Sequence, residues 1–306
     1  MRKLIILSAV IILVPFFIIA FFDHLEIKEI KLNYITNEVV RIKREDTGNI
    51  DKVYLEEYVV GVLAGEMPIY FEEEALKAQA VAARTYVLKR MEYNKDKDYD
   101  VVDSTINQVY LDNEYLKKAW GKKYLQNINK LRKAVNATLG EYLTYNEKII
   151  DALFFSTSNG YTEDSALVFG FDADYLKSVS SYWDKDTSSA YLTTTKIPLK
   201  KFYEKLELPY SDNLKLEILE RSQTNRINKL KINDHPFTGR ELYNKLGLRS
   251  TDFTMNLVNE NVVIKTKGYG HGVGMSQYGA LGMAKEGYKY REILSYYYQN
   301  TVIKKI

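Results

Sequence analysis

The sequence contains no cysteine, which removes disulfides, thiol nucleophiles, iron–sulfur clusters and thiolate zinc sites at once. Histidine is nearly as scarce: His24, His235 and His271 lie far apart, so a centre built on imidazole alone would need almost all of them. An excess of one charge is missing too. With 43 Lys+Arg against 40 Asp+Glu the formal net charge is +3, which argues against a nucleic-acid binder, whose domains carry a strongly basic face. Long low-complexity stretches and obvious repeats are absent, and 46% hydrophobic with 27% charged residues is the composition of a folded chain. One very uneven segment stands out. From Leu4 to Phe22 nineteen residues carry no charge, after Arg2 and Lys3 and before Asp23, His24 and Glu26. About 20 apolar residues span a bilayer, whereas a secretory apolar core runs about 7–15, and Ile18 to Phe22 lacks a small-x-small cleavage pattern. The pattern predicts an uncleaved single-pass anchor with a cytoplasmic tip over 1–22, a membrane-proximal segment over 23–52, and an extracytoplasmic remainder. A long cleaved signal peptide is the alternative. Either way the rest is exported, so ATP and NAD are not expected and no cofactor is assigned.

The exported part reads as α+β, a mixed helix and sheet region with a groove, because runs of helices and runs of strands replace a βαβ alternation. Helical periodicity marks Tyr54–Met67, Phe71–Tyr93 and Glu114–Asn136. Glu141–Phe155 reads as two strands joined at Asn146-Glu147. Strand-like runs at Leu214–Leu219, Ile227–Ile232, Asp252–Leu257 and Val262–Lys265 surround a short helix at Gly239–Leu246, a strand-rich subdomain over 195–265. Ser180–Tyr191, rich in Ser, Asp and Tyr, reads as a linker or surface loop.

Three constellations carry chemistry. In the first helix the apolar stripe Leu55, Val59, Val62, Leu63 continues into Glu66, just before Pro68. A carboxyl on a buried stripe at a helix C-terminus has its pKa raised by desolvation and by the partly negative helix end. Those are the conditions of a general acid near neutral pH; the alternative is a glutamate simply exposed at the helix end. Gly61, Ala64 and Gly65 match Ala78, Ala80, Ala82 and Ala83 of the second helix, so close packing would set Glu66 beside Arg84 and Tyr86, unless Arg84 serves a structural ion pair. The second constellation is the hydroxyl-rich loop Phe155–Asp164, with Ser156, Ser158, Tyr161 and Glu163. The third is Gly268–Ala280, with five glycines in twelve residues and His271, Ser276, Gln277 and Tyr278. It has no Gly-Lys-Ser/Thr phosphate signature; exposed amides and aromatic rings suit a sugar.

Several of these segments are similar, in order, to the stage II sporulation protein D family over roughly residues 53 to 300: Glu56–Val62, Gly65-Glu66-Met67-Pro68, Ala75–Tyr86, Ser156–Glu163, Gly239–Ser250 (Gly-Arg-Glu-Leu-Tyr-Asn-Lys-Leu-Gly-Leu-Arg-Ser) and Gly268–Ala280. The resemblance implies a membrane-anchored lytic transglycosylase with its catalytic domain over 53–306. It would cut the MurNAc–GlcNAc bond of peptidoglycan glycan strands, preferably free of stem peptides, leaving 1,6-anhydro-MurNAc ends during forespore engulfment. It implies that Glu66, in the Glu-Met-Pro segment, is catalytic, and that a membrane protein and an amidase of the engulfment machinery are partners. It also implies location in the septal or engulfing membrane of a sporulating bacterium. Substrate binding is assigned to Arg84, Tyr86, Ser156, Ser158, Tyr161, Glu163, His271, Gln277 and Tyr278. Some family members resemble zinc proteins, with His and Cys around the Ser-x-Ser loop; Phe155 and Ser158 stand there in this chain, so no metal is expected. Two alternatives remain: a non-catalytic wall-binding protein that enhances an amidase, and a muramidase using a second carboxylate such as Glu163.

Overall fold

The computed structural model describes residues 27–306. Strand β1 (Val39–Lys43) runs antiparallel to β2 (Ile50–Tyr54) and parallel to β3 (Val101–Val102). Helix α1 (Leu55–Glu66) follows β2 directly and ends where Pro68 forces Met67 into extended backbone. Helix α2 (Glu73–Tyr93) opens on acidic residues that suit a helix N-terminus. Both helices are buried well beyond one face, α2 without interruption from Ala78 to Val87, because other elements pack on several sides.

The single helix expected over Glu114–Asn136 is two, α3 (Asn113–Trp120) and α4 (Tyr124–Ala137), broken by a 3-10 turn at Gly121, whose φ of 49° only glycine adopts cheaply. Strands β4 (Glu141–Tyr145) and β5 (Lys148–Ile149) form the expected hairpin, with Asn146 and Glu147 at φ 47° and 64°, the positive pair that a tight hairpin turn requires. Strand β6 (Phe154–Phe155) and the short helices α5 (Ser165–Phe169) and α6 (Asp184–Thr187) follow.

Ser180–Tyr191 departs from its reading as a linker. Ser181, Trp183 and Asp184 are buried. The Asp184 carboxylate accepts the Ser158 amide, the Ser181 hydroxyl and the Ser276 hydroxyl, so a composition typical of solvated loops is satisfied internally.

A second lobe comprises β7 (Leu192–Pro198), α7 (Leu199–Leu206), β8 (Leu216–Arg221), β9 (Ile227–Ile232), β10 (His235–Thr238), α8 (Gly239–Leu246), β11 (Phe253–Val258) and β12 (Asn261–Lys267). Its sheets, ordered β11-β12-β7 and β10-β9-β8, share a core of Phe202, Tyr203, Leu230, Leu242, Phe253 and Ile264. The chain then returns to the first lobe. Strand β13 (Met275–Ser276) pairs in parallel with β6, helices α9 (Gln277–Lys285) and α10 (Tyr290–Tyr297) pack on the core around α2, and β14 (Val302–Lys305) closes against β4.

The mixed helix and strand content stands, but the membrane part of the expectation is corrected. Among the described residues no helix is long and apolar enough to cross a membrane. The one with sufficient length, α2 at 21 residues, is studded with Glu, Lys and Arg. The expected transmembrane helix and single-pass membrane location are therefore not supported, and the run Leu4–Phe22 that suggested them lies outside the described residues.

Candidate active site

The two lobes and the β6–β13 junction border a cleft of about 840 Å³, lined by Glu66, Tyr86, Ser156, His271 and Gln277 among the residues singled out from sequence. Glu66 stands at the last position of α1. The Val109 amide donates to its Oε1 at 2.7 Å, and the Gln277 side-chain amide donates to Oε2 at 3.3 Å. Burial raises its pKa above the ordinary glutamate value, and these two hydrogen bonds oppose the shift without cancelling it. No cation takes part.

The glycines of α1 explain how Val109 reaches the carboxyl. A Cβ on Gly65 would fall 2.5 Å from the Val109 carbonyl, and one on Gly61 2.3 Å from the Tyr110 ring. These glycines therefore admit the Val109–Leu111 segment, contrary to the expectation that they match the alanines of α2. Tyr86 lies beside Glu66 in the cleft lining, and its hydroxyl accepts from Asn107 Nδ2 at 3.0 Å, which leaves its own proton unassigned.

His271 is held on both ring nitrogens. Nε2 bonds the Phe154 carbonyl at 3.0 Å and Nδ1 accepts the Val273 amide at 3.1 Å. Burial pushes its pKa down to about 4, so the ring is neutral at physiological pH and acts as a wall and a brace for the glycine loop, not as a proton donor. Phe169, Phe171, Tyr243 and Tyr269 supply further ring faces.

Five sequence-assigned residues do not meet Glu66. Arg84 is corrected from substrate binding to structure: it is wholly buried, its Nε and Nη2 clasp Glu56 at 3.0 and 2.6 Å, and Nη1 donates to the Glu141 carbonyl at 2.9 Å. Ser158 is buried, bonding the Ser181 carbonyl with its hydroxyl. Glu163 lines a neighbouring side pocket of about 400 Å³ and accepts the Ser222 and Thr224 hydroxyls, so it is not the second carboxylate of a muramidase site. Tyr161 is exposed outside the cleft lining. Tyr278 also lies outside that lining, bonding Tyr70 through its hydroxyl at 3.1 Å and packing edge-on to Phe71.

The sequence reading missed Val109 and Asn107, whose roles carry no residue-type signature, and the ion pair Arg90–Asp151 in the cleft wall. A lone acid in the apolar run Ile149–Phe155 was the available signal for Asp151.

Comparison with known proteins gives a consistent picture. The model of the family described as Stage II sporulation protein (SpoIID) matches residues 43–145. Stage II sporulation protein D of Bacillus amyloliquefaciens is 43% identical over 86% of this chain and 78% of its own length. The protein of that name from Bacillus subtilis (strain 168) is 41% identical over the same shares. A Bacillus subtilis protein named Amidase enhancer is 31% identical over 79% of this chain and 40% of its own length.

Proposed function

The chain belongs to the stage II sporulation protein D family, and from that premise we propose that it is a lytic transglycosylase acting on peptidoglycan glycan strands during sporulation, with Glu66 as its only general acid and base. The observation that carries this reading is the environment of Glu66. Its carboxyl lines an 840 Å³ cleft, has its pKa raised by burial, and is addressed by two amides and no cation.

The tighter Val109 bond engages Oε1, so Oε2, with the longer bond to Gln277, is the oxygen that carries the proton toward the strand. In the first step that proton passes to the glycosidic oxygen as the bond from C1 of the muramic sugar breaks, and the departing sugar leaves as an alcohol. In the second, the C6 hydroxyl oxygen of the same sugar bonds to C1 while the Glu66 carboxylate takes its proton, which restores the acid and yields the 1,6-anhydro end. No water is consumed. A tethered nucleophile supplies its own effective concentration, so a second catalytic carboxylate is unnecessary. Asp151, the other carboxylate in the cleft lining, is already paired with Arg90. Tyr86, Ser156 and Gln277 offer hydroxyl and amide groups to the strand, and the aromatic walls offer stacking faces.

Mass spectrometry of glycan strands incubated with wild-type protein and with Glu66→Gln tests the reading. Anhydro-ended products are expected from the wild type and should fall by about 10³-fold in the variant. Reducing ends would point to hydrolysis instead. The likeness to the Amidase enhancer supports a second reading, a wall-binding protein that raises the turnover of a partner amidase; strand binding without any cleavage, together with faster amidase action, would favour it.

A further inference from the structure

Asp184, the first residue of α6, takes no part in the proton transfers above, yet it is wholly buried beside the β6–β13 junction. Its Oδ1 accepts the Ser158 amide at 2.8 Å and the Ser276 hydroxyl, and its Oδ2 accepts the Ser181 hydroxyl at 2.6 Å. Ser181 in turn bonds the Tyr297 hydroxyl at 2.7 Å. Among the described residues no cation pairs with this carboxylate, in contrast to Glu56 and its partner Arg84. A buried carboxylate held by hydrogen bonds alone is unfavourable unless every donor is in place. Such a group is therefore a demanding geometric clamp on the segments that supply its donors.

Helix α9 is shaped to reach this clamp. A Cβ on Gly279 would fall 2.0 Å from the Tyr297 hydroxyl, 2.4 Å from Ser181 Oγ and 2.8 Å from Asp184 Oδ2; one on Gly282 would fall 2.2 Å from Trp183 Cβ. A glycine in a helix interior costs about 1 kcal/mol relative to alanine, and here both glycines admit the segment that carries Asp184. Ser276 is the N-cap of the same helix, and its oxygen accepts the Gly279 amide at 3.3 Å. A hydroxyl has one proton. Asp184 is its nearer acceptor and the Ser156 carbonyl, at 3.3 Å, the more distant one, so the lone pairs of Ser276 are turned toward the helix amides. The next residue is Gln277, whose side-chain amide donates to Glu66 at 3.3 Å. At that length a small displacement of the first turn breaks the contact.

We propose that Asp184 is a positioning residue for the proposed reaction: by holding Ser276 it fixes the first turn of α9, and so keeps the Gln277 amide on Oε2 of Glu66. The proposal rests on the reading of Glu66 as the acid, and it gives Asp184 no proton to transfer. Acceptor geometry, not charge, does the positioning. An asparagine at this place keeps its oxygen for the Ser158 amide and the Ser276 hydroxyl, while its own amide donates to Ser181. The hydroxyls of Ser181 and Tyr297 are rotors that turn to accept it.

NMR titration of the Glu66 carboxyl, in protein carrying isotope-labelled glutamate and with Glu66→Gln identifying the signal, tests this without relying on cleavage. The Gln277 donor stabilises the ionised form of Glu66, so its loss moves the titration midpoint upward. Ser276→Ala, which cuts only the link, should move the midpoint in the same direction as Gln277→Ala and by no more. The double variant should move no further than Gln277→Ala alone, and Asp184→Asn should titrate close to the wild type. Three results would each overturn the proposal. An unmoved midpoint in Ser276→Ala, with only its melting temperature lowered, would reduce the pair to scaffold. A larger shift in the double variant than in Gln277→Ala would break the route through Gln277. A shift in Asp184→Asn as large as that of Gln277→Ala would mean that the charge of Asp184 acts directly. A wild-type protein that makes no anhydro ends would sink the transglycosylase reading and leave the titration result standing.

Discussion

Helix α1 carries two glutamates in its first turn and another at its last residue, and the surroundings of Glu56 and Glu66 differ in kind. Glu56 is fully buried, clasped by the Arg84 fork, and also accepts the Gly140 amide at 3.2 Å. Glu66 is partly buried and meets two amides, one of them at a long 3.3 Å. A guanidinium fork occupies both carboxylate oxygens and fixes three segments of chain, leaving nothing for a ligand. Two amides hold the other carboxyl in place but leave a proton site toward the cleft. On one helix, the presence or absence of a buried cation separates a carboxylate tied into the scaffold from the one we propose as the acid.

The largest expected effect comes from breaking the scaffold end. Arg84→Ala strands a buried carboxylate and should destabilise the fold by about 3–5 kcal/mol, whereas Glu56→Leu combined with Arg84→Met should cost far less. Urea denaturation of both variants reads this difference. A stable Arg84→Ala protein that lost only strand binding would return Arg84 to the substrate-binding set.

A smaller effect is expected at the other end. The Gln277 amide stabilises the ionised form of Glu66, so Gln277→Ala should raise the Glu66 pKa further. Because the proposed first step needs the protonated acid, the alkaline limb of the pH–rate profile should move upward, modestly for so long a hydrogen bond. An unmoved limb would mean that Gln277 serves only the strand.

The smallest effect is on stability. Glu66 binds its proton more tightly folded than unfolded, so its contribution favours folding at low pH and is lost as pH rises from the ordinary value of 4.5 through the raised one. Glu66→Gln should therefore gain up to about 1 kcal/mol at neutral pH while losing activity. Thermal unfolding against pH checks it: a variant less stable than wild type above neutrality would contradict the uncompensated burial of this carboxyl.

Much of the scaffold was legible in local patterns. The stripe ending at Glu66, the hairpin at Asn146-Glu147 and the helix at Gly239–Leu246 with its Thr238/Glu241 capping box depend on residues a few positions apart. Errors arose where partners are remote. The Ser180–Tyr191 segment looked solvated because nothing local reveals that Ser158 and Ser276 meet Asp184. Gly61 and Gly65 looked like helix-packing residues because the Val109–Leu111 segment comes from far along the chain.

The same division holds for the site. Sequence alone determined that a carboxyl would continue an apolar stripe to a helix end, and that a glycine-rich loop would expose amides near hydroxyls and rings. Those are properties of periodicity and of residue type. Tertiary structure decided which carboxyl is clasped by a cation and which is met by amides alone. The Val109 amide arrives from 43 residues away and the Gln277 amide from 211, while Arg84 is drawn to Glu56. Electrostatic environment depends on distance in space, and only the folded chain sets those distances.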